Sequence, residues 1–215
     1  WFPDEIDSSI LCFFHQKVQI LHWSCRHRWL KTFVSQVLTN LGRSKRNNQI
    51  KDKERPMYSL REGKVEDLPR VLELIKELAL YEKAPEQVTN TLEMMKADGF
   101  GSNPVYGLFV CEKEKTGEII GIAIYYYRYS TWKGKRMYLE DLVVTESERG
   151  KGAGKLLFDR VLAKTLEDGC TGMMWQVLDW NEPAINFYKK YGADLEAGWL
   201  NAHLQDFEIK KLLEA

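Results

Sequence analysis

A mixed α/β fold is predicted, with helices flanking a central sheet in the order β-α-α-β-β-β-α-β-α-β. Three observations carry the prediction. Residues 65–83 and 155–169 repeat apolar side chains at helical spacing. Short runs rich in β-branched and aromatic residues, such as "EIIGIAIYYYRY", are bounded by glycine and threonine turns. Three of these runs follow one another without an intervening helix, so a simple repeating βαβ sheet is excluded.

Taken in order, "MYSLRE" reads as a first strand. "VEDLPRVLELIKELALYEK" then sets Leu68, Val71, Leu72, Ile75, Leu78 and Ala79 on one face of an amphipathic helix. A shorter helix in "NTLEMMKADGF" is expected to end at Gly99. "VYGLFVCEKE" and "EIIGIAIYYYRY" form a hairpin across Thr116-Gly117, and "RMYLEDLVVT" is a fourth strand. The segment "KLLFDRVLAKTLEDG" is a helix closed by Gly169. "MMWQVLD" is a strand, "NEPAINFYKKYG" a helix capped by Asn181, and "HLQDFEIKKL" a last strand.

These elements all lie in residues 56–215. Residues 1–55 read as an N-terminal extension ending in the polar, charged linker "GRSKRNNQIKDKERP". The sequence does not open on methionine, which points to a fragment. The formal net charge is zero, yet residues 1–55 hold ten Lys/Arg and five Asp/Glu, leaving 21 and 26 for the remainder. An acidic body disfavours nucleic acid and favours a cationic ligand. No apolar run approaches the ~18 residues of a membrane helix and no secretory leader is legible, so a cytoplasmic protein without a membrane partner is expected. Cys12, Cys25, Cys111 and Cys170 show no redox spacing, as befits reduced thiols. Cys12, His15, His22 and Cys25 have the ligand types of a zinc site. Only six residues separate the two pairs, against the ~12 of a small zinc finger, and no metal is expected.

The stretch "ESERGKGAGKLLF" carries the chemistry. A glycine turn that leaves a strand and enters a helix presents backbone N–H groups and the positive end of the helix dipole to an anion. Arg149 and Lys151 add charge at the rim. A nucleotide P-loop fails, because Gly150 and Gly154 stand one residue too close and Leu156 occupies the hydroxyl position. The dinucleotide fingerprint also misses, since Gly150, Gly152 and Gly154 alternate, although Asp179 is the acid such a site would want. The remaining pattern, R-G-x-G-x-G, resembles the pyrophosphate loop of acyl-CoA-dependent N-acetyltransferases.

"MYLEDLVVTESERGKGAGKLL" together with "VLDWNEPAINFYKKYGA" resembles the GNAT superfamily of N-acetyltransferases and, within it, the diamine (spermidine/spermine) N-acetyltransferase family. "LIKELALYEKAPEQV", "DGFGSNP" and "YYYRYSTWKGK" extend the likeness from about Tyr58 to the C-terminus. The resemblance implies the GNAT fold, acetyl-CoA as cosubstrate, a small-molecule amine as substrate and a homodimer. It implies that Leu142, Val143 and Val144 meet the pantetheine arm through their main chain. By the same likeness Arg149, Gly150, Lys151, Gly152, Ala153, Gly154 and Lys155 cradle the pyrophosphate, and Asn181, Glu182, Pro183 and Ala184 form a further coenzyme contact.

Tyr188 aligns with the family's general acid, which protonates the departing thiolate. A phenol of pKa ~10 is protonated at neutral pH and suits that task. Glu140 is implied to bind the amine and accept its proton, with Asp141 beside it. Tyr81, Glu82, Met174, Trp175, Gln176 and Glu196 are implied to line the amine site. The family's acidic pair before its late Gly-Trp is shortened here to Glu196-Ala197, and its Asp-Pro is replaced by Ser130-Thr131. The expected activity is acetyl transfer to a diamine or polyamine by direct attack. Because "DGC" and "VLDWN" also occur in the thialysine branch, acetylation of a small amino acid is the alternative. A coenzyme-binding or polyamine-sensing module without turnover is a third.

Overall fold

The computed structural model describes residues 58–198 and 200–214. The boundary near residue 56 and the Cys12/His15/His22/Cys25 grouping therefore lie outside the described residues.

Five strands form one sheet in the order β1-β2-β3-β4-β5. They are β1 (Tyr58–Glu62), β2 (Gly107–Lys113), β3 (Ile119–Ser130), β4 (Gly134–Val144) and β5 (Met173–Met174). The first four pair antiparallel, and β5 joins β4 in parallel, so the sheet is mixed as expected. Helices α1 (Leu68–Tyr81), α2 (Leu92–Phe100), α3 (Ala153–Glu167), α4 (Glu182–Lys189) and α5 (Asp206–Leu213) complete the chain.

Strand alternation divides the core in two. Leu108, Val110, Ile122, Ile124 and Val143 pack with Leu68, Val71 and Leu74 of α1 and Met95 of α2. On the other face, Phe109, Cys111, Ala123, Tyr125, Met137 and Leu139 pack with Leu157, Phe158 and Val161 of α3 and Tyr188 of α4. Each fully buried large side chain contributes roughly 1.5–3 kcal/mol of transfer free energy. The face of α1 is rotated slightly from the one expected: Leu74 is fully buried, while Leu72, Ile75 and Leu78 are partly so.

A bulge interrupts the alternation of β4. Ile124 pairs with Asp141 and Tyr125 with Leu139, leaving Glu140 as the extra residue. Met137 and Leu139 therefore face α3, as do Leu142 and Val144, whereas Val143 faces α1. Without the bulge these parities would be reversed past residue 140.

Three expectations are corrected. The strand expected over "MMWQVLD" pairs only at Met173 and Met174, opposite Met137 and Tyr138, and the chain leaves β4 just short of the bulge. The last strand expected in "HLQDFEIKKL" is helix α5 instead. Gln205 and Glu208 form a capping box, with the Gln205 N–H donating to Glu208 Oε2 at 2.7 Å. Asp206 and Glu208 in the first turn and Lys210 and Lys211 in the last complement the helix dipole. These local terms outweigh the short alternation of Phe207 and Ile209, and both side chains are exposed. The order thus closes on α rather than β. Helix α2 also runs through Phe100, because Gly99 serves a close approach rather than a cap: a Cβ there would stand 2.3 Å from the Tyr106 ring.

Candidate active site

Two lips face each other where β4 and β5 part. The first is acidic. The bulge at Glu140 turns Asp141 toward the α1 side of the sheet, where α1 ends in Tyr81 and is followed by Glu82. Burial pushes the Asp141 carboxyl up to about 6, and Glu140 and then Glu82 add to the rise by repulsion. Desolvation raises Glu82 as well. Three carboxylates thus converge, and a bound cation would relieve their repulsion. Tyr126 and Tyr138 stack at 5.0 Å, and the field of Glu140 raises both phenols after burial has done so. The Tyr138 hydroxyl donates to Gln176 Oε1 at 3.0 Å, and Gln176 Nε2 donates to Asn201 Oδ1 at 2.9 Å. Gln176 is thereby tied to this lip across the gap.

The other residues of the expected amine site have these neighbours. Met174 receives a contact from Arg128 Nη1 at 3.2 Å on its sulfur. The Trp175 ring lies 4.9 Å from Tyr188 and 5.4 Å from Phe158, so it packs on the α3 side rather than with the carboxylates. Glu196 is exposed, and among the described residues no hydrogen bond or ion pair joins it to Glu82, Glu140 or Asp141.

The second lip is the glycine turn. Gly150 (φ +73°) and Gly152 (φ +106°) take left-handed conformations that L side chains rarely adopt, and a Cβ at either would meet nothing within 4 Å. Ala153, Gly154 and Lys155 open α3, so their N–H groups have no carbonyl four residues back within the helix. Open space over free donors at a helix start fits a pyrophosphate. The cations of the turn are partnered. Arg149 Nε donates to the Val144 carbonyl at 2.9 Å and its guanidinium lies 5.0 Å from the Tyr81 ring centre. Lys155 pairs with Asp159 at 2.5 Å. Lys151 Nζ pairs with Glu148 at 3.2 Å.

Along β4 the side chains of Leu142 and Val144 enter one core and that of Val143 the other. Their main chain pairs with β3 on one edge; on the other, β5 has already departed. On that edge the Val144 carbonyl accepts from Arg149 Nε, and no strand of the described residues pairs with Leu142.

Asn181 starts α4. Its Oδ1 accepts from the Ala184 N–H at 3.3 Å and from the Tyr81 hydroxyl at 3.2 Å, so the N-cap also joins α4 to the end of α1. Glu182 and Pro183 are exposed in the first turn. Six residues on from Glu182, Tyr188 is 7% exposed among Phe158, Trp175 and Phe187. Burial pushes its phenol up to about 12. Among the described residues no hydrogen bond engages its hydroxyl, and no fully sealed side-chain oxygen lacks a partner. The hydroxyl is therefore not fully sealed, and burial keeps it protonated. The same residues include no group of three or more His, Cys, Asp or Glu suited to a metal ion, and no helix long and apolar enough to cross a membrane.

Sequence reasoning did not single out Glu148, Tyr58, Lys113, Tyr126 or Tyr138. The signal for Glu148 was faint: an acid beside two cations reads as surface charge until its burial is seen.

An anion-binding turn at a helix start beside a carboxylate lip could hold a phosphorylated ligand next to a cationic one. Residues 68–193 match the model of the acetyltransferase (GNAT) family, and the chain belongs to that family. It is an N-acetyltransferase. It is 42% identical over 164 residues to a thialysine N-epsilon-acetyltransferase of Bos taurus, covering 72% of this chain and 95% of that protein. With the human spermidine/spermine N(1)-acetyltransferase-like protein 1 it shares 35% identity over 165 residues, 73% of this chain and 23% of that protein. An aminoglycoside acetyltransferase from an uncultured soil metagenomic sample, solved with sisomicin, shares the fold at a TM-score of 0.58 and 18% identity, covering 69% of this chain and 97% of that one.

Proposed function

We propose that the protein transfers acetyl from acetyl-CoA to a primary amine of a small cationic substrate, a diamine or polyamine, by direct attack. The convergence of Glu82, Glu140 and Asp141 carries this reading, because three carboxylates on one lip offer charge to more than one ammonium group. A primary ammonium of pKa ~10.4 is mostly charged at pH 7; carboxylates gather it and, directly or through water, take its proton. Acetyl-CoA supplies the activated thioester. Gly150 to Lys155 hold its pyrophosphate, the main-chain edge of Leu142 to Val144 orients the arm, and Tyr188 donates the proton that the departing thiolate needs. No side chain is placed as a nucleophile; Cys170 is buried in the α3 core.

A second reading, acetylation of the side-chain amine of thialysine, is favoured by the relative of that name at 42% identity. A thiol-release assay with putrescine, spermidine, spermine, thialysine, ornithine and an aminoglycoside separates the two by kcat/KM. Turnover only with amino acids overturns the polyamine reading, and coenzyme binding with no turnover on any amine overturns both. We take the working form to be a homodimer in the cytoplasm; sedimentation velocity at micromolar concentration tests the oligomer.

A further inference from the structure

Glu148 stands behind the glycine turn, 7% exposed, and collects three donors. The Tyr58 hydroxyl from β1 donates to its Oε2 at 2.7 Å, Lys113 from the end of β2 approaches its Oε1 at 3.1 Å, and Lys151 from the turn itself reaches Oε2 at 3.2 Å. Lys113 is shared with Glu118 at 2.9 Å. These donors keep the carboxyl ionised, well below the ordinary carboxylate range.

At its two left-handed glycines the turn lacks packing. Gly150 and Gly152 flank Lys151, and nothing lies within 4 Å of either glycine's missing Cβ. Two glycines without neighbours are the least restrained backbone a loop can have. The Lys151 ammonium is therefore the turn's own handle, and Glu148 holds it from the sheet side.

Resting on the reading of acetyl-CoA as donor, we infer that Glu148 is a positioning residue for the donor's pyrophosphate: it acts through Lys151 to hold the glycine turn in its anion-binding shape, and Lys151 is a tether before it is a phosphate ligand. Removing the carboxylate has two opposed consequences. It frees Lys151 to attract phosphate, and it releases the turn. The side chain of Lys151 is 45% exposed, so water and salt screen its gain. Re-fixing even one backbone residue costs about as much as a tenfold change in affinity. Release wins.

Calorimetric titration of CoA into the full chain tests this. Glu148→Gln is expected to raise the Kd for CoA about tenfold, and Lys151→Met likewise. The double variant is expected to be no weaker than either single one, because the two residues act through each other. With S-acetylpantetheine, which has no pyrophosphate, Glu148→Gln is expected to keep the wild-type kcat/KM. If Glu148→Gln lowers folding yield, Lys113→Met cuts one support of Glu148 without touching the turn, and a loss of about threefold in CoA affinity is expected. Unchanged or tighter CoA binding in Glu148→Gln, additive losses in the double variant, or an equal loss with S-acetylpantetheine overturns the inference. Absence of CoA binding in the wild type refutes instead the donor reading on which it rests.

Discussion

Asp141 makes the most quantitative prediction. Its carboxyl is pushed up to about 6 in the fold, against an ordinary value of 3.8. An acid whose folded value is raised holds its proton in the native state after the unfolded chain has released it. Stability is therefore highest below the unfolded value and falls as pH rises from about 4 to about 6. At roughly 1.36 kcal/mol for each decade, that loss is about 3 kcal/mol by pH 7. Asp141→Asn removes the charge that is penalised. Its melting temperature should match wild type at pH 4 and exceed it by several degrees at pH 7.5, at about 2–4 °C for each kcal/mol. Activity should move the other way. In wild type, kcat/KM for the amine should fall as pH drops through about 6, where Asp141 takes up its proton; in Asp141→Asn this limb should vanish and the plateau should be lower. Calorimetric melts from pH 4 to 8 with amine saturation curves decide it. Parallel melting curves for the two proteins at every pH would refute the reasoning, since they would show that Asp141 carries no buried charge.

Tyr188→Phe should lower kcat by about 10²–10⁴ while CoA binding by calorimetry persists, because only the proton donor is lost; wild-type turnover would remove the phenol from the mechanism. Gly152→Ala forces a Cβ onto a residue at φ +106°. It should raise KM for acetyl-CoA several-fold with little change in KM for the amine, a split read from two saturation curves. Gly99→Ala drives a Cβ to 2.3 Å from the Tyr106 ring. It should destabilise by about 1–3 kcal/mol in denaturant melts and leave kcat unchanged, since both residues lie away from the parted strands.

Most of the fold was legible because period and punctuation agree along most of the chain. Helix α1, the β2–β3 hairpin and the Asn181 cap of α4 are each announced by residues that act locally. Segments decided by longer-range or competing terms were not. The run "MMWQVLD" has the composition of a strand, yet whether it pairs depends on β4, whose bulge lies 33 residues before the run begins, at Glu140. "HLQDFEIKKL" offers strand alternation and helix capping together, and the capping residues prevail. At the site, the glycine turn was readable because glycine has few other reasons to alternate. Glu148 was not, since burial by Tyr58 and Lys113 from distant strands is invisible in "ESER". That the Trp175 ring packs on Tyr188 follows from the fold and is not readable from "MMWQVLD".

The single extra residue in β4 links the two halves of the site. A regular strand would place Asp141 on the α3 face beside Met137 and Leu139, where a carboxylate would have to be buried among apolar side chains at a cost of several kcal/mol. The bulge moves Asp141 instead to the end of α1, where it is partly buried beside Glu82. The β4–β5 pairing also stops at Tyr138–Met174, two residues before the bulge, so Leu142 has no strand partner on that side among the described residues. On the proposed reading, one irregularity serves both the acidic lip that meets the amine and the edge that meets the thioester. The Tyr81–Asn181 hydrogen bond then fixes how far apart α1 and α4, and with them the carboxylates and Tyr188, are held.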